Sequence, residues 1–251
     1  MSVKILLGAW AVAALLLGCK KEQGNKTTET PTNNDELAVY KKIYGASSIA
    51  KEGDFVVIKS NALPDHKSPY YQGTQWAATL FEAYNGNNPS WSKNPNKIVS
   101  FNLTFKIPLN PKEAAVKAST PMGPIGISLN GVPFFNQYAA GGSPLTNEIN
   151  GFDQYLGHPM QLGMYHYHIE PIYLTTKFSK NTLLGFLLDG FPVYGPMENN
   201  KTITNADLDT YHGHSHATLE YPNGIYHYHI TNEDPYLNGG GFYGVAGTVA
   251  Q

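Results

Sequence analysis

The sequence predicts an all-β domain, a two-sheet β-sandwich built around an internally duplicated hairpin-loop-strand unit with few short helices. Three observations carry that expectation. Charged residues make up 14% of the 251-residue chain, whereas Gly (25) and Pro (17) supply turn formers in quantity. A run of alternating apolar and polar side chains crosses residues 98–107, and two Asx-Gly pairs stand between apolar runs. The same balance excludes a coiled coil, a helical bundle and a largely disordered chain. A net charge of −2 gives no field for steering onto nucleic acid or anionic lipid. All 17 basic residues are lysine, so bidentate arginine readout of phosphate or guanine is missing. Nucleic acid is therefore not an expected partner.

At the N-terminus Lys4 precedes an apolar run over residues 5–17. That run is short for a membrane-spanning helix and right for a signal-peptide core. It ends in Leu16-Leu17-Gly18-Cys19, which resembles a bacterial lipobox, where the cysteine is lipidated and becomes the mature N-terminus. Residues 1–19 then read as a lipoprotein signal with Cys19 as the lipidation site. Residues 20–35 are polar and read as a flexible tether, and residues 36–251 as a single domain. The expectation is a lipid-anchored protein of the bacterial cell envelope, at the outer membrane or cell surface, with the membrane as partner through that anchor. Cys19 is the one cysteine of the chain. The domain then has no disulfide and no thiolate ligand, and any metal must be held through nitrogen and oxygen.

Within the domain, residues 36–44 and 111–117 predict short helices, the second opening on Pro111. Residues 55–59 and 76–84 predict strands. In residues 98–107, Val99, Phe101, Leu103, Phe105 and Ile107 alternate with Ser100, Asn102, Thr104 and Lys106, the period of a half-buried strand. Asn130-Gly131 and Asp189-Gly190 predict hairpins with type I′ turns.

Those hairpins open a repeat. Gly126-x-x-Leu129-Asn130-Gly131-x-Pro133 matches Gly185-x-x-Leu188-Asp189-Gly190-x-Pro192. Further on, Asp153-x-Tyr155-x-Gly157-His158 matches Asp209-x-Tyr211-x-Gly213-His214. Tyr165-His166-Tyr167-His168-Ile169 then matches Tyr226-His227-Tyr228-His229-Ile230. The halves run over about 124–175 and 183–248. Because Asn130 matches Asp189, turn geometry rather than charge is what that position requires.

Eight of the nine histidines lie between His158 and His229. On a strand, residues i and i+2 share a face. His166 with His168, and His227 with His229, thus each present two imidazoles on one side, leaving the tyrosines and Ile169 or Ile230 for the core. Such pairs give a metal two nitrogen ligands, and His158 and His214 in the Gly-His loops offer a third. Asp153 and Asp209, five residues upstream, are candidates to orient an imidazole by accepting its second N–H. Copper or zinc suits such a donor set. The sequence leaves open whether the two sets form one shared site or two. His212 and His216 have no counterpart, since Leu156 and Met160 stand in the first half, and both read as exposed; His216 is a further candidate ligand. The competing reading is a His/Tyr ladder that stabilises a sheet by cross-strand contact.

At these residues the chain resembles the YHYH-domain family of bacterial proteins. The resemblance runs from about Leu63 to Tyr243, through the run from Gly123 to Phe134, the second hairpin as far as Pro196, Gly213-His214 and both tetrapeptides. It implies that Leu63-Pro-Asp-His66 belongs to the family pattern, which adds His66 as a candidate ligand. Relatives carry Cys near the Gly-His loops where Tyr155 and Tyr211 stand here, so a thiol-dependent function does not apply. The expected function is capture, storage or delivery of copper or zinc by an extracytoplasmic lipoprotein, with an unidentified metal donor or acceptor protein as partner. The alternatives are a metal-dependent hydrolase or oxygenase, and a metal-free glycan-binding module using Trp76, Trp91 and the tyrosines.

Overall fold

The computed structural model describes residues 1–2 and 35–251. Residues 3–34, which hold the expected signal peptide core, the lipobox with Cys19 and nearly all of the tether, lie outside the described residues.

The domain opens with a meander of β1 (Ala46–Glu52), β2 (Phe55–Ser60) and β3 (Leu103–Pro108). The first half of the repeat follows as β4 (Gly126–Ser128), β5 (Pro133–Phe134), the small hairpin β6 (Tyr138–Ala139) and β7 (Ser143–Pro144), then β8 (Gly157–Pro159) and β9 (Tyr165–Tyr167). The second half supplies β10 (Leu183–Leu187), β11 (Pro192–Tyr194), the hairpin β12 (Met197–Glu198) and β13 (Lys201–Thr202), then β14 (Gly213–His216) and β15 (Ile225–His229). Strand β16 (Thr248–Ala250) returns to pair with β3. Two short α-helices, α1 (Ala77–Leu80) and α2 (Ile172–Lys177), and five short 3-10 turns complete the regular elements among the described residues. The chain is all-β.

These strands form a four-stranded antiparallel sheet, β1-β2-β3-β16, and an eight-stranded mixed sheet, β14-β15-β11-β10-β4-β5-β9-β8. The larger sheet reads the same from either end. Each half contributes an outer antiparallel pair, a parallel step (β9 on β5, β15 on β11) and an inner hairpin, and the halves join where β4 meets β10 antiparallel. Val56, Ile58, Phe105 and Ile107 of the small sheet share one core with Ile127, Phe134, Phe186, Tyr165, Tyr167 and Tyr228 of the large one.

Several local expectations are corrected. The alternation over residues 98–107 yields a strand from Leu103 onward. β2 ends at Ser60 opposite Leu103, so earlier residues have no ladder to join. Their N–H groups go to loop carbonyls instead, Ile98 to Tyr70, Val99 to Gly163 and Phe101 to Asn61. Residues 76–84 form the single turn of α1 and not a strand, and Phe81 makes one isolated bridge to Ser68. Residues 111–117 are not helical, because Glu113 bridges Gly244 and the N–H of Ala114 donates to the Tyr243 carbonyl. Residues 36–44 contain one short 3-10 turn, Tyr40–Lys42.

Nor are the hairpin turns type I′. In each the Gly alone of the Asx-Gly pair has positive φ, +81° at Gly131 and +88° at Gly190. Gly131 N–H donates to Ser128 and Gly190 N–H to Leu187, the three-residue loop in which a left-handed Gly follows a tight turn.

Candidate metal centres

The tetrapeptide strands divide their side chains as period two requires. Tyr165, Tyr167, Tyr226 and Tyr228 are buried in the core, and each phenol finds a partner from the repeat. The Tyr165 hydroxyl donates to Asp153 and the Tyr226 hydroxyl to Asp209, both at 2.9 Å. Tyr228 donates to Asp189 at 2.5 Å, whereas Tyr167 accepts from the Asn130 amide at 3.2 Å. Asn130 and Asp189 therefore anchor a buried tyrosine as well as shaping a turn. Asp189 also accepts from the Gly244 and Phe191 N–H groups. Burial nonetheless raises its carboxyl to about 6. Ile230 joins this core, but Ile169 lies beyond the end of β9 and packs against the satellite cluster of Ala139, Leu145 and Phe152.

Asp153 and Asp209 correct a second expectation. Neither touches an imidazole. Asp153 Oδ1 accepts from the N–H groups of Tyr155 and Gly157, and Asp209 Oδ1 from those of Tyr211 and Gly213, closing the loop that precedes each Gly-His strand. The glycines are needed there because a Cβ on Gly157 or Gly213 would strike the Tyr165 or Tyr226 phenol. These carboxylates bind tyrosine and loop together, setting where the following histidine starts.

On the opposite face the imidazoles converge within each half. His158 stands directly across from His166 in the β8–β9 pair, and His214 across from His227 in β14–β15. Each strand then brings its second histidine, His168 or His229, alongside. A glutamate completes each group. Glu148, His158, His166 and His168 bring one ligand atom apiece within 4.8 Å of one another, and so do Glu198, His214, His227 and His229. These groups could hold a metal ion. They lie at opposite ends of the eight-stranded sheet, five strand spacings apart from β9 to β15 and so about 24 Å. The question of one shared site or two resolves to two.

Hydrogen bonding fixes which nitrogen faces inward. A carbonyl can only accept, so a ring nitrogen bonded to one must carry the proton. His166 Nδ1–H donates to the Met164 carbonyl and His168 Nδ1–H to that of Asn136. In the other half His227 Nδ1–H donates to Ile225 and His229 Nδ1–H to Gly195, the repeat-equivalent carbonyls. All four Nε2 atoms are left with bare lone pairs. Those of His166 and His168 face each other at 2.9 Å. Those of His227 and His229 have no hydrogen-bond partner and lie 3.6 and 3.5 Å from Glu198 Oε1. Lone pairs opposed at such distances in a buried site repel unless a cation stands between them.

Electrostatics reinforce this. Burial drives His166 well below the ordinary imidazole range, with His158 and His168 adding to the effect, and lowers His168 and His227 to about 4. His229 is lowered by burial as well. Contact with His158 holds Glu148 below its usual range, and for Glu198 the pull of His229, His216 and His214 outweighs the opposing effect of burial. Each centre thus sets two imidazoles that burial keeps neutral, His166 with His168 and His227 with His229, beside an ionised carboxylate, acceptors suited to a cation.

The remaining candidates separate. His216 Nε2 lies 2.6 Å from Glu198 Oε1 and 3.1 Å from His214 Nε2, beside the second centre. His66 belongs to neither. It is buried on the tyrosine side, where its Nδ1–H donates to the Lys67 carbonyl and its Nε2 accepts from the Tyr167 hydroxyl. His212 is buried rather than exposed and bonds Asn205 and Thr231. The two glutamates escaped sequence reasoning for a definite reason. Glu198 stands 13 residues after Gly185, and the position 13 residues after Gly126 is Ala139. Glu148 arrives instead from the short helix Glu148–Gly151, so the repeat carries no signal for either acid.

The model of the YHYH protein family matches residues 104–204 and 197–240, taking in both hairpins, both Gly-His loops and both tetrapeptides and leaving His66 outside. No curated protein and no solved structure matches the chain.

Proposed function

The chain belongs to the YHYH protein family, and we propose that its domain is a two-centre metal-binding module that captures, stores or delivers zinc or copper at the bacterial cell envelope. One observation carries the reading: the paired Nε2 lone pairs of His166 and His168, 2.9 Å apart with both Nδ1 protons committed to carbonyls. A carboxylate in each centre makes the donor set harder than imidazole alone, which favours zinc and cupric copper over the cuprous ion. Calcium and magnesium would want more oxygens.

The envelope location rests on Lys4, the apolar run and Cys19, and the anchor would hold the module at the membrane within reach of a protein that gives or takes the ion. Elemental analysis of the untagged domain, after loading with zinc and with copper in parallel, is the test. Two ions per chain are expected, falling to one in His166→Ala plus His168→Ala. A wild-type domain that takes up neither metal, or a double variant with unchanged content, overturns the reading. For the anchor, Cys19→Ala should move the protein from the membrane fraction to the soluble fraction, and an unmoved protein would refute lipidation.

A further inference from the structure

Resting on the two-centre reading, we propose that the centres divide the work: the first retains its ion as part of the fold, and the second exchanges its ion with small chelates through His216.

The surroundings of the two groups differ in three respects that bear on exchange. The first centre meets a cavity of about 420 Å³ at Glu148 and His158, but its imidazoles are tightly packed. Phe135 stacks on His166 with centroids 3.9 Å apart, Phe152 packs at 4.7 Å from His158 and lies parallel to His168, and the three imidazoles are all buried. The second is covered more loosely, by Tyr194 at 5.2 Å from His227 and 6.2 Å from His229. Its Glu198, His229 and His216 line a cavity of about 500 Å³ that also touches Met197, Tyr194 and Leu219, a size within the range of small-ligand pockets. His214 and His216 keep 24% and 35% of their side chains exposed, against 4% for His158.

The second difference is a surplus donor. The first half has Met160 at the position of His216, so its centre offers four ligands and no more. His216 stands outside the four-residue group of the second centre yet in contact with three of its members, Glu198, His214 and His227. Its Nδ1–H donates to the Ala217 carbonyl, and its Nε2 faces the Glu198 carboxylate at the mouth of the centre. An ion arriving on a chelate can bond to His216 as it loses one chelate donor, then pass to His214, His227 and His229 as the rest of the chelate leaves. Each step replaces one metal–ligand bond by another. The oxidation state is unchanged, and the proton that His216 Nε2 shares with the Glu198 carboxylate passes to the departing chelate donor as the metal takes its place. The cargo is zinc or cupric ion carried by a chelate of amino-acid or short-peptide size.

The third difference lies in the carboxylates. Glu198 sits on the hairpin β12–β13, whose strands pair with each other and with no larger sheet. Its turn residues Asn199 and Asn200 both have positive φ, a tight reversal standing on two residues per strand. Met197 N–H donates to the Lys180 carbonyl and Ile203 N–H to that of Pro196, so the hairpin is tied at its base and carries Glu198 next to its turn, whereas Glu148 stands on the helix Glu148–Gly151.

The test is release kinetics from the full mature chain loaded with zinc, followed with the chromophoric chelator 4-(2-pyridylazo)resorcinol after the zinc content has been counted. Two zinc ions per chain should leave in two phases, with rates at least about 100-fold apart. His216→Ala, at a half-exposed position, should slow the fast phase by about tenfold or more while two zinc ions remain bound. His158→Ala should abolish the slow phase and His227→Ala the fast one, which assigns the phases to the centres. Release in a single phase, or a fast phase untouched by His216→Ala, overturns the division of labour while leaving metal binding intact. Absence of zinc from the loaded protein overturns both, and the initial count separates that outcome from the others.

Discussion

The two halves of the large sheet hold their tyrosines in the same way and finish their histidine faces differently. In each half the phenols are fixed by Asx side chains at repeat-equivalent positions, Asp153 with Asn130 and Asp209 with Asp189. On the other face the first half lays Phe152 and the satellite cluster over its imidazoles, whereas the second leaves Glu198 and His216 at the mouth of a cavity. The core side must fit one packed interior shared with the small sheet, so the duplicated strands have no freedom there. The histidine side is covered by loops, which can lengthen or change composition without disturbing the ladder. A duplicated frame has thereby come to carry two unequal sites.

The largest test of that contrast removes ligands in pairs. His166→Ala with His168→Ala, and His227→Ala with His229→Ala, should each abolish binding at one centre. The loss should exceed the roughly 10–100-fold that follows from losing a supporting residue, with the other centre unaffected in isothermal titration. Coupled loss at both centres would break the picture of independent sites.

Next in size is the loop glycine. Gly157→Ala drives a methyl at the Tyr165 phenol inside a fully buried Tyr–Asp pair and should cost about 3 kcal/mol in urea unfolding. Gly213→Ala meets Tyr226 beside an exposed Asp209, so its cost should be smaller. Equal costs would show that the two loops are equally rigid.

Asp189 should give the second half a pH dependence that its counterpart Asn130 cannot give the first. Asp189 ionises near 6 when folded against about 3.8 unfolded, so the folded state holds its proton over the interval between. Its contribution is therefore fully present below pH 3.8 and is lost as pH rises through 6, about 2–3 kcal/mol in all. Asp189→Asn, which installs the residue of the first half, should remove that share, so the stability difference between variant and wild type should change by about 2–3 kcal/mol between pH 4 and 7 in chemical denaturation. At neutral pH it leaves the Gly244 N–H without its carboxylate. A difference between variant and wild type that stays constant over that range would assign the dependence elsewhere.

The smallest difference concerns the phenols. Tyr165→Phe removes a donor from a buried carboxylate and should cost about 1–2 kcal/mol, and Tyr226→Phe about 0.5–1 kcal/mol beside a solvated one. Thermal unfolding of the two variants measures the gap, and reversal of their order would contradict the comparison of a tightly packed half with a looser one.

The sequence made the fold class legible through turn formers, and the repeat through three landmarks in one order. Period two assigned tyrosines to one face and histidines to the other without any coordinates, because alternation is a property of the extended backbone itself. It misled where tertiary partners decide: residues 98–102 alternate like a strand but have no neighbour to pair with, and residues 111–117 have helical composition but are held to the segment around Tyr243 and Gly244. Asp153 and Asp209 lie close to the histidines in sequence and yet serve the tyrosines, because their loops fold back toward the core face. Glu148 and Glu198 carried no periodic signal, since each comes from an element outside the duplicated strands.

By itself, then, the amino-acid order determined which side chains share a face and that the pattern occurs twice. Only the tertiary structure decided that the two sets stay apart at opposite ends of one sheet, that a glutamate enters each, and that the histidines of one are more tightly packed than those of the other. The physical reason is one of range: facing is dictated by local backbone geometry, whereas convergence depends on strand pairing and loop closure between residues distant along the chain.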